Sequence, residues 1–423
     1  MNTVYEEILS YVNTLPVIDS HEHLPGREEL RERPTDVLTE YLRHYFRSDL
    51  IAAGMPREDM ERVIDHSLPL MERWKLVEPW WELARNTAYG RALDIAARDI
   101  YGISRIDGTT IEALDEAFQK TLLPGANHYR RILKEMSHIE YSVLDSDLDC
   151  DRAFFRSVLN IGGLPMPKHW AQLDAFSKAT GVTLRCLDDY LDACRAFLEN
   201  GLQKGAVTLK CTLAYDRTLF FENVPKAEAE ACFAKMLQAQ ARPRWSAGEF
   251  STTKAFQDYI MHFILRFADQ NNLVFQFHTG LQEGNDNYIT NSDPSLLSNL
   301  FAQYPHVKFD LFHMSYPYQN VLSALGKTFA NVYLDMCWAH IISPAACVAA
   351  LDDWLDAVPA NKIIAFGGDY CLIDGVYAHQ LMARENVSRT LAGKVERGVY
   401  TLDQAKWLAR RMFYENPKAL YGA

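Results

Sequence analysis

The sequence lacks the patterns that mark several other classes of protein. Its eight cysteines are scattered without a CxxC pair, so we expect reduced and mostly buried thiols. No apolar run approaches the length of a membrane-spanning helix, and neither GxGxxG nor GxxxxGK[ST] follows a strand candidate. Residues 1–7 have neither the basic nor the apolar segment of a signal peptide. We therefore expect a cytoplasmic protein.

Positive charge is also in short supply, because 43 lysines and arginines face 55 acidic residues and the formal net charge is −12. This balance argues against a nucleic-acid partner and against an anionic membrane surface. A small-molecule substrate is the expected partner, and the sequence is compatible with a homo-oligomer. The length of 423 residues allows two or three domains, although one α/β barrel with insertions can also reach this size.

Short apolar runs recur along the chain and alternate with segments rich in helix formers. This alternation predicts an α/β fold with parallel strands and crossover helices. Eight such runs favour a closed (β/α)₈ TIM barrel over an open, doubly wound sheet. The strand candidates are residues 16–21, 139–144, 155–161, 206–211, 273–278, 307–313, 332–336 and 363–369.

The pattern between the first and second runs is almost wholly helical and too long for a simple strand-to-helix loop. We therefore predict three segments. Residues 1–27 hold the first barrel strand and a His-x-His motif, residues 28–130 form a helical insertion, and residues 131–423 form the rest of the barrel with its C-terminal helices.

Ligand-type side chains stand at the ends of these runs. His21 and His23 lie two apart, so on an extended chain both imidazoles project to the same side. His278, His313 and Asp369 close later runs, and all strand ends of a barrel meet at the face where catalytic groups gather. Together they offer nitrogen and oxygen ligands suited to zinc or a similar divalent ion.

Each of these residues also has a simpler explanation. A single histidine is more often a hydrogen-bonded core residue, and Asp369 follows two glycines as a turn residue or helix cap would. Lys210, which closes the fourth run, could be an ordinary lysine that reaches solvent. The joint pattern, with ligand-type residues at five of eight strand ends, favours a metal site.

Four motifs resemble the amidohydrolase superfamily: residues 19–23 (DSHEH), 277–280 (FHTG), 312–317 (FHMSYP) and 367–370 (GGDY). The nearer likeness is to its amidohydrolase-2 branch of metal-dependent hydrolases, and residues 415–422 are similar to the closing helix of that branch. The likeness covers the chain from the first strand to the C-terminus, apart from the helical insertion.

The resemblance implies roles for these residues. His21, His23, His278 and Asp369 would hold the catalytic metal, and His313 would be a second-metal ligand or a catalytic residue. Lys210 stands where members with two metals carry a carboxylated lysine. A protonated lysine has no lone pair to give, so Lys210 would be a metal ligand only as a carbamate. Otherwise its ammonium could hold a substrate carboxylate.

The expected reaction is hydrolysis of an amide, ester or lactone bond of a small polar molecule. A divalent metal, with zinc as the expected ion and one or two ions bound, would activate a water. Asp369 would take the proton from that water and pass it to the leaving group, and His313 would stabilise the developing oxyanion if it binds no metal.

Three alternatives remain on the same scaffold. The long insertion, together with residues 23–25 (HLP), resembles the uronate isomerases of the same superfamily, which use one metal and interconvert aldoses and ketoses. A metal-dependent decarboxylase is the second. The third is a non-catalytic barrel that binds a sugar or an acid and needs no general base at Asp369. For substrate binding we name Arg217, which could grip a carboxylate, and Tyr316 and Trp338, which could wall the pocket. Packing within their own loops explains these three residues equally well.

Overall fold

Eight parallel strands form the centre of the structure, a computed structural model that describes residues 3–146, 148–239 and 254–422. Each strand pairs with the next in chain order, and nearly all their residues are buried, as expected where helices cover a parallel sheet. The strands are β1 (Val17–Glu22), β2 (Ile139–Leu144), β3 (Phe155–Asn160), β4 (Ala206–Cys211), β5 (Val274–Phe277), β6 (Lys308–Leu311), β7 (Val332–Asp335) and β8 (Ile363–Ile364).

Backbone hydrogen bonds join β1 to the chain that follows β8. The amide of Ser20 donates to the carbonyl oxygen of Phe366 at 3.2 Å, and the amide of Asp369 donates to that of His21 at 2.8 Å. These bonds bring the two edges of the sheet together. The α/β barrel with a helical insertion after the first strand is therefore confirmed.

One predicted strand is much shorter than its apolar run. Residues 363–369 were expected to be extended throughout, but β8 has only two residues. Beyond it the amide of Ala365 donates to the carbonyl oxygen of Met412 instead of to a strand, and the carbonyl oxygen of Gly367 accepts from the amide of Trp338. Asp369 therefore lies in a loop.

Helices fill the insertion between β1 and β2. The N-cap side chains of Asp36 and Thr87 accept hydrogen bonds from the first turns of two of them, and Gly102 ends one helix in the left-handed conformation. The α-helices are Val37–Tyr41, Phe46–Ala52, Arg57–Val63, Leu70–Ala84, Ala88–Tyr101 and Ile111–Gln119, with 3₁₀ turns at Glu28–Arg31 and Lys120–Leu122 and a π-helix at Arg130–Met136. The division of the chain at residues 27 and 130 stays a prediction.

The other helices surround the barrel. They are Val4–Asn13, Trp170–Thr180, Leu187–Gln203, Lys226–Ala239, Lys254–Gln270, Ser298–Gln303, Gln319–Thr328, Ala339–Ile342, Pro344–Ala357, Ile373–Glu396, Leu402–Arg410 and Asn416–Tyr421. Shorter 3₁₀ or π segments are Leu213–Tyr215, Ile289–Ser292, Pro294–Leu297, His313–Ser315, Ala360–Lys362 and Arg411–Glu415. Within the described ranges no helix is long and apolar enough to cross a membrane.

The last helix contributes one side chain to the barrel interior. The hydroxyl of Tyr421 donates to the carboxylate of Asp310 on β6 and accepts a 2.9 Å hydrogen bond from the side-chain amide of Gln276 on β5. Tyr421 and Asp310 are both fully or almost fully buried. This polar contact anchors the last helix inside the barrel.

Candidate active site

Three donor atoms converge at one point, one from β1, one from the residue directly after it and one from the loop after β8. Nε2 of His21 and Nε2 of His23 lie 3.3 Å apart, and Oδ1 of Asp369 lies 3.7 Å and 3.2 Å from them respectively. Four ligands at about 2.0–2.1 Å from a zinc ion in a tetrahedron are about 3.3–3.4 Å apart. The spacing of this group therefore fits a single metal ion.

A backbone hydrogen bond orients the ring of His23. Its Nδ1 lies 3.2 Å from the carbonyl oxygen of Asp145, so Nδ1 carries the hydrogen and donates it. The lone pair of the neutral ring is then on Nε2, which faces the other two donors. A backbone acceptor behind a histidine is a common way of orienting a metal ligand.

Two buried carboxylates of β1 hold the backbone that carries Asp369. Asp19 accepts a 3.0 Å hydrogen bond from the amide of Gly368, and Glu22 accepts a 2.8 Å bond from the amide of Tyr370. Asp369 itself has a φ of +56°, a strained value for a residue with a side chain. A Cβ on Gly368 would come within 1.6 Å of the Glu22 carboxylate, so only glycine allows this close approach.

Tyr45 of the insertion contacts the other oxygen of Asp369. Its hydroxyl lies 2.8 Å from Oδ2 and also contacts the backbone carbonyl oxygen of the same residue. The Tyr45 ring stacks on Trp338, with centroids 4.6 Å apart and planes at 15°, and lies 5.2 Å from the ring of Tyr89. The insertion thus supplies a hydrogen-bond donor that the sequence analysis did not identify.

Lys210 lies inside this site. Its Nζ is 3.3 Å from Nε2 of His21 and 4.0 Å from the centre of the Phe312 ring, and the residue is 1% exposed. In the described part of the chain no carboxylate lies within salt-bridge distance of this amine. The structure thus places Lys210 next to His21, one of the three candidate metal ligands. Carboxylation of Lys210 stays a prediction.

His278 and His313 face each other beside this group. Nε2 of His278 lies 2.8 Å from the carbonyl oxygen of Leu281, and Nδ1 of His313 lies 3.1 Å from that of Cys337, so each of these nitrogens carries a hydrogen. In neutral rings the remaining nitrogens, 2.9 Å apart, would both present lone pairs. Such a contact is stable only when a proton or a cation occupies it.

The loops after β5 and β6 meet closely enough to form this histidine pair because of one glycine. Gly280 has a φ of +75°, and a Cβ there would lie 2.3 Å from the backbone carbon of Ser315. A second group that could hold a metal consists of His313, Cys337 and Asp369, whose donor atoms lie within 4.8 Å of one another. Asp369 is therefore shared between two possible cation positions.

The protonation states of the site suit metal binding. Burial lowers the pKa of His21, and Lys210 lowers it further. Burial also lowers the pKa of His313 to about 4. Burial would raise the pKa of Asp369, but the hydrogen bond from His23 and the nearby imidazoles outweigh it and hold that pKa well below its usual range. Burial would lower the pKa of His23, and Asp369 raises it instead. The lowered pKa values favour neutral imidazoles at His21 and His313 and an ionised carboxylate at Asp369, which are the forms that bind a cation.

Asp145, which the sequence analysis did not select, also reaches the site. It follows β2 directly, and its Oδ2 lies 4.0 Å from Nε2 of His21. The side-chain amide of Asn160, the last residue of β3, donates to this oxygen at 3.0 Å. The rule that selected the other strand-end residues would also have found Asp145. Tyr45, in contrast, has no signal of this kind.

The three predicted substrate residues occupy different surroundings. Trp338 is buried between Tyr45 and His313, with its ring centre 5.1 Å from that of His313. Tyr316 is half-buried and packs against the hydrophobic core. The guanidinium of Arg217 pairs with Asp258 at 2.6 Å and donates to Gln257 at 2.9 Å. Arg217 is therefore already engaged by acceptors outside the histidine group, and its role in binding substrate stays a prediction.

Comparison with known proteins adds three relatives. Residues 210–423, about half of the chain, match the model of the Amidohydrolase family (Amidohydro_2). The uronate isomerase of Thermotoga maritima is 21% identical over an alignment of 471 residues that covers 99% of this chain and 97% of that protein. Its crystal structure matches with a TM-score of 0.81 at 18% identity and covers 100% of this chain and 98% of that one.

The glucuronate isomerase of Caulobacter crescentus matches with a TM-score of 0.77 at 17% identity, and the match covers 99% of this chain and 94% of that one. The protein fluG of Emericella nidulans is 31% identical over 153 residues, or 36% of this chain. That segment spans only 18% of fluG. The structural likenesses show a shared barrel fold that includes the insertion.

Proposed function

Since the chain belongs to the amidohydrolase family, we propose that it is a metal-dependent enzyme that interconverts the aldose and ketose forms of a uronate. The observation that carries this proposal is the likeness to uronate isomerases over the whole chain, helical insertion included. The insertion supplies Tyr45, whose hydroxyl lies on Asp369. The shared part of the structure therefore reaches the carboxylate to which we assign the chemistry.

In this proposal Asp369 moves a carbon-bound proton. It takes the proton from the hydroxyl-bearing carbon next to the aldehyde, and the C–H electron pair forms the double bond of an enediol as the aldehyde oxygen gains a proton. The neighbouring hydroxyl then loses its proton and becomes the ketone, while Asp369 returns the first proton to the former aldehyde carbon. Protons and electrons balance, and no external oxidant or reductant is needed.

The metal would be held by His21, His23 and Asp369, with His278, His313 and Lys210 as further candidate ligands. A divalent ion, for which zinc is expected, polarises a carbonyl oxygen and lowers the pKa of a bound water when it is present. His313 is the second proposed catalytic residue and would stabilise negative charge on the substrate oxygen. Trp338 and Tyr316 would line the pocket, and Arg217 would have to release Asp258 before it could hold a carboxylate.

The test is to incubate the zinc-loaded protein with uronates and to follow ketose formation by NMR. We expect conversion by the native protein and by Asp353→Asn, which changes an exposed carboxylate, and none by Asp369→Asn. Elemental analysis before each assay shows whether a variant has lost its metal. Absence of ketose from every uronate tested with metal-loaded native protein would refute the proposal.

Hydrolysis of an amide, ester or lactone is a second candidate. The family match favours it, because it includes the segments that carry His278, His313 and Asp369. In this reaction Asp369 would take the proton of the attacking water and pass it to the leaving group. Released acid from a panel of lactones, esters and amides, in the absence of activity on uronates, would favour hydrolysis over isomerisation.

A further inference from the structure

The carboxylate of Asp145 lies at the edge of the metal group without belonging to it. Its Oδ2 is 4.0 Å from Nε2 of His21, and its side chain is only 9% exposed. Among the described residues, the donor group His21, His23 and Asp369 forms without Asp145. A nearly buried carboxylate therefore stands beside the proposed reaction centre with no assigned role.

The backbone of Asp145 is fixed on both sides. Its amide donates to the carbonyl oxygen of Glu22 at 2.8 Å, and its own carbonyl oxygen accepts the hydrogen of His23 Nδ1 at 3.2 Å. These bonds join the end of β2 to the end of β1. The side chain thus projects from a rigid position, as an element of a preorganised site must.

Asn160 fixes the orientation of the carboxylate. Its Nδ2 donates to Asp145 Oδ2 at 3.0 Å, and its own Oδ1 accepts a 2.9 Å hydrogen bond from the amide of Gly162. That second bond determines which end of the Asn160 amide faces Asp145. The amide group has two hydrogens, so one remains available next to the carboxylate.

No cation neutralises Asp145 within the described residues, where its only ion-pair partner within 4.0 Å is the ring of His21. An ionised carboxylate has about four acceptor positions, and the single Nδ2 of Asn160 reaches Oδ2 at 3.0 Å and Oδ1 at 3.4 Å, which leaves further positions unused. A charge kept nearly buried with unused acceptors costs free energy unless another donor completes its hydrogen bonds. A bound substrate would supply the missing hydrogen-bond donor.

We propose that Asp145 and Asn160 form a hydroxyl-binding subsite that selects a polyhydroxylated substrate. A hydroxyl group is at once a donor and an acceptor, and this pair offers a carboxylate that accepts and an amide hydrogen that donates. The assignment rests on the proposed function, because it names a hydroxyl of the uronate as the group that is bound. It adds specificity at the ends of β2 and β3, on the other side of β1 from the loop that carries Asp369.

The test is a cycle in which the protein and the substrate are both changed. D-glucuronate and its 3-, 4- and 5-deoxy analogues are assayed with native protein and with Asp145→Ala. A hydrogen bond to a charged group is worth about 10- to 150-fold, so kcat/KM for glucuronate should fall by that factor in the variant. For the analogue that lacks the bound hydroxyl, the same substitution should change kcat/KM by less than about twofold.

Two further measurements separate specificity from structure. Metal content should be equal in native protein, Asp145→Ala and the control Asp149→Ala, which changes an 86% exposed carboxylate in the same loop. Asp145→Asn, which keeps the side-chain shape, should give an intermediate loss on glucuronate. An equal loss on every substrate, no loss on any, or a loss of metal that accounts for the lost activity would each overturn the assignment.

Failure of the proposed function looks different. In that case native protein converts no uronate, and the subsite assignment falls with it. Normal conversion by native protein and by Asp145→Ala would refute the subsite alone.

Discussion

Tyr45→Phe tests how the helical insertion serves the site. Phenylalanine keeps the ring that stacks on Trp338 and Tyr89, with centroids 4.6 Å and 5.2 Å away. The change removes only the hydroxyl that lies 2.8 Å from Oδ2 of Asp369 and that also contacts its carbonyl oxygen. Tyr45 is 2% exposed, so water has little access to replace the lost donor.

The size of the effect follows from the charge on Asp369. A hydrogen bond to an ionised group contributes about 1.5–3 kcal/mol, which corresponds to about 10- to 150-fold in an equilibrium or rate constant. Loss of a partner that orients a metal ligand costs about 10- to 100-fold in metal affinity or activity. We therefore expect Tyr45→Phe to weaken zinc binding, kcat/KM or both by about one to two orders of magnitude.

Zinc affinity is measured by competition with a chromophoric chelator, and kcat/KM is measured at saturating zinc. Tyr89→Phe is the matched control, because it removes the hydroxyl group from the neighbouring tyrosine ring and keeps the ring itself. The melting temperature of each variant shows whether the barrel is intact. Zinc affinity and kcat/KM both equal to those of the native protein in Tyr45→Phe would refute the assigned role of this hydroxyl.

Three other predictions concern the metal, the barrel interior and a glycine. Chelation should lower the melting temperature of native protein, which should bind about one or two divalent ions by elemental analysis. The same chelation should have little effect on His21→Asn, and an equal shift in both would exclude His21 as a ligand. Burial raises the pKa of Asp310 to about 7, above its unfolded value of about 3.9, so the stability contributed by its protonated form is lost as pH rises through that window. The urea midpoint should therefore fall more between pH 5 and pH 8 for native protein than for Asp310→Asn. An equal fall in both proteins would contradict this prediction. A residue with a side chain costs about 1–2 kcal/mol in the left-handed conformation. Gly280→Ala should lower the free energy of unfolding by more than this, because the new Cβ would also clash with the backbone of Ser315. Gly125→Ala, with a φ of +77° and nothing within 4 Å of its Cβ, is the control, and equal losses would show that the contact with Ser315 is unimportant.

The strands were predictable because an apolar run bounded by polar residues is a local pattern. The run 206–211 matches β4 residue for residue, and 139–144 matches β2. The run 363–369 was too long, since apolar character does not report where the regular pattern of hydrogen bonds between strands ends. The candidate ligands were selected from an equally local pattern, because parallel strands of a barrel all end at one face.

The residues that surround the candidate ligands were harder to predict from the sequence. Asp145 satisfied the strand-end rule and was passed over, so the signal existed in the sequence. Asp19 and Glu22 stood inside the His-x-His motif, but their contacts with Gly368 and Tyr370 depend on the closure of the barrel. Nothing near Arg217 in the chain indicated that Asp258 would pair with its guanidinium.

What the chain alone establishes here is the alternation of strands and helices and the placement of ligand-type side chains after the strands, because both depend on neighbouring residues. Only the folded structure determines the distances between these side chains. His21, His23 and Asp369 fall within 3.7 Å of one another because backbone hydrogen bonds join the loop after β8 to β1. Tyr45 reaches Asp369, 324 positions further along the chain, because the insertion packs over the barrel. Contacts of that separation are set by packing and ring closure, and no local pattern records them.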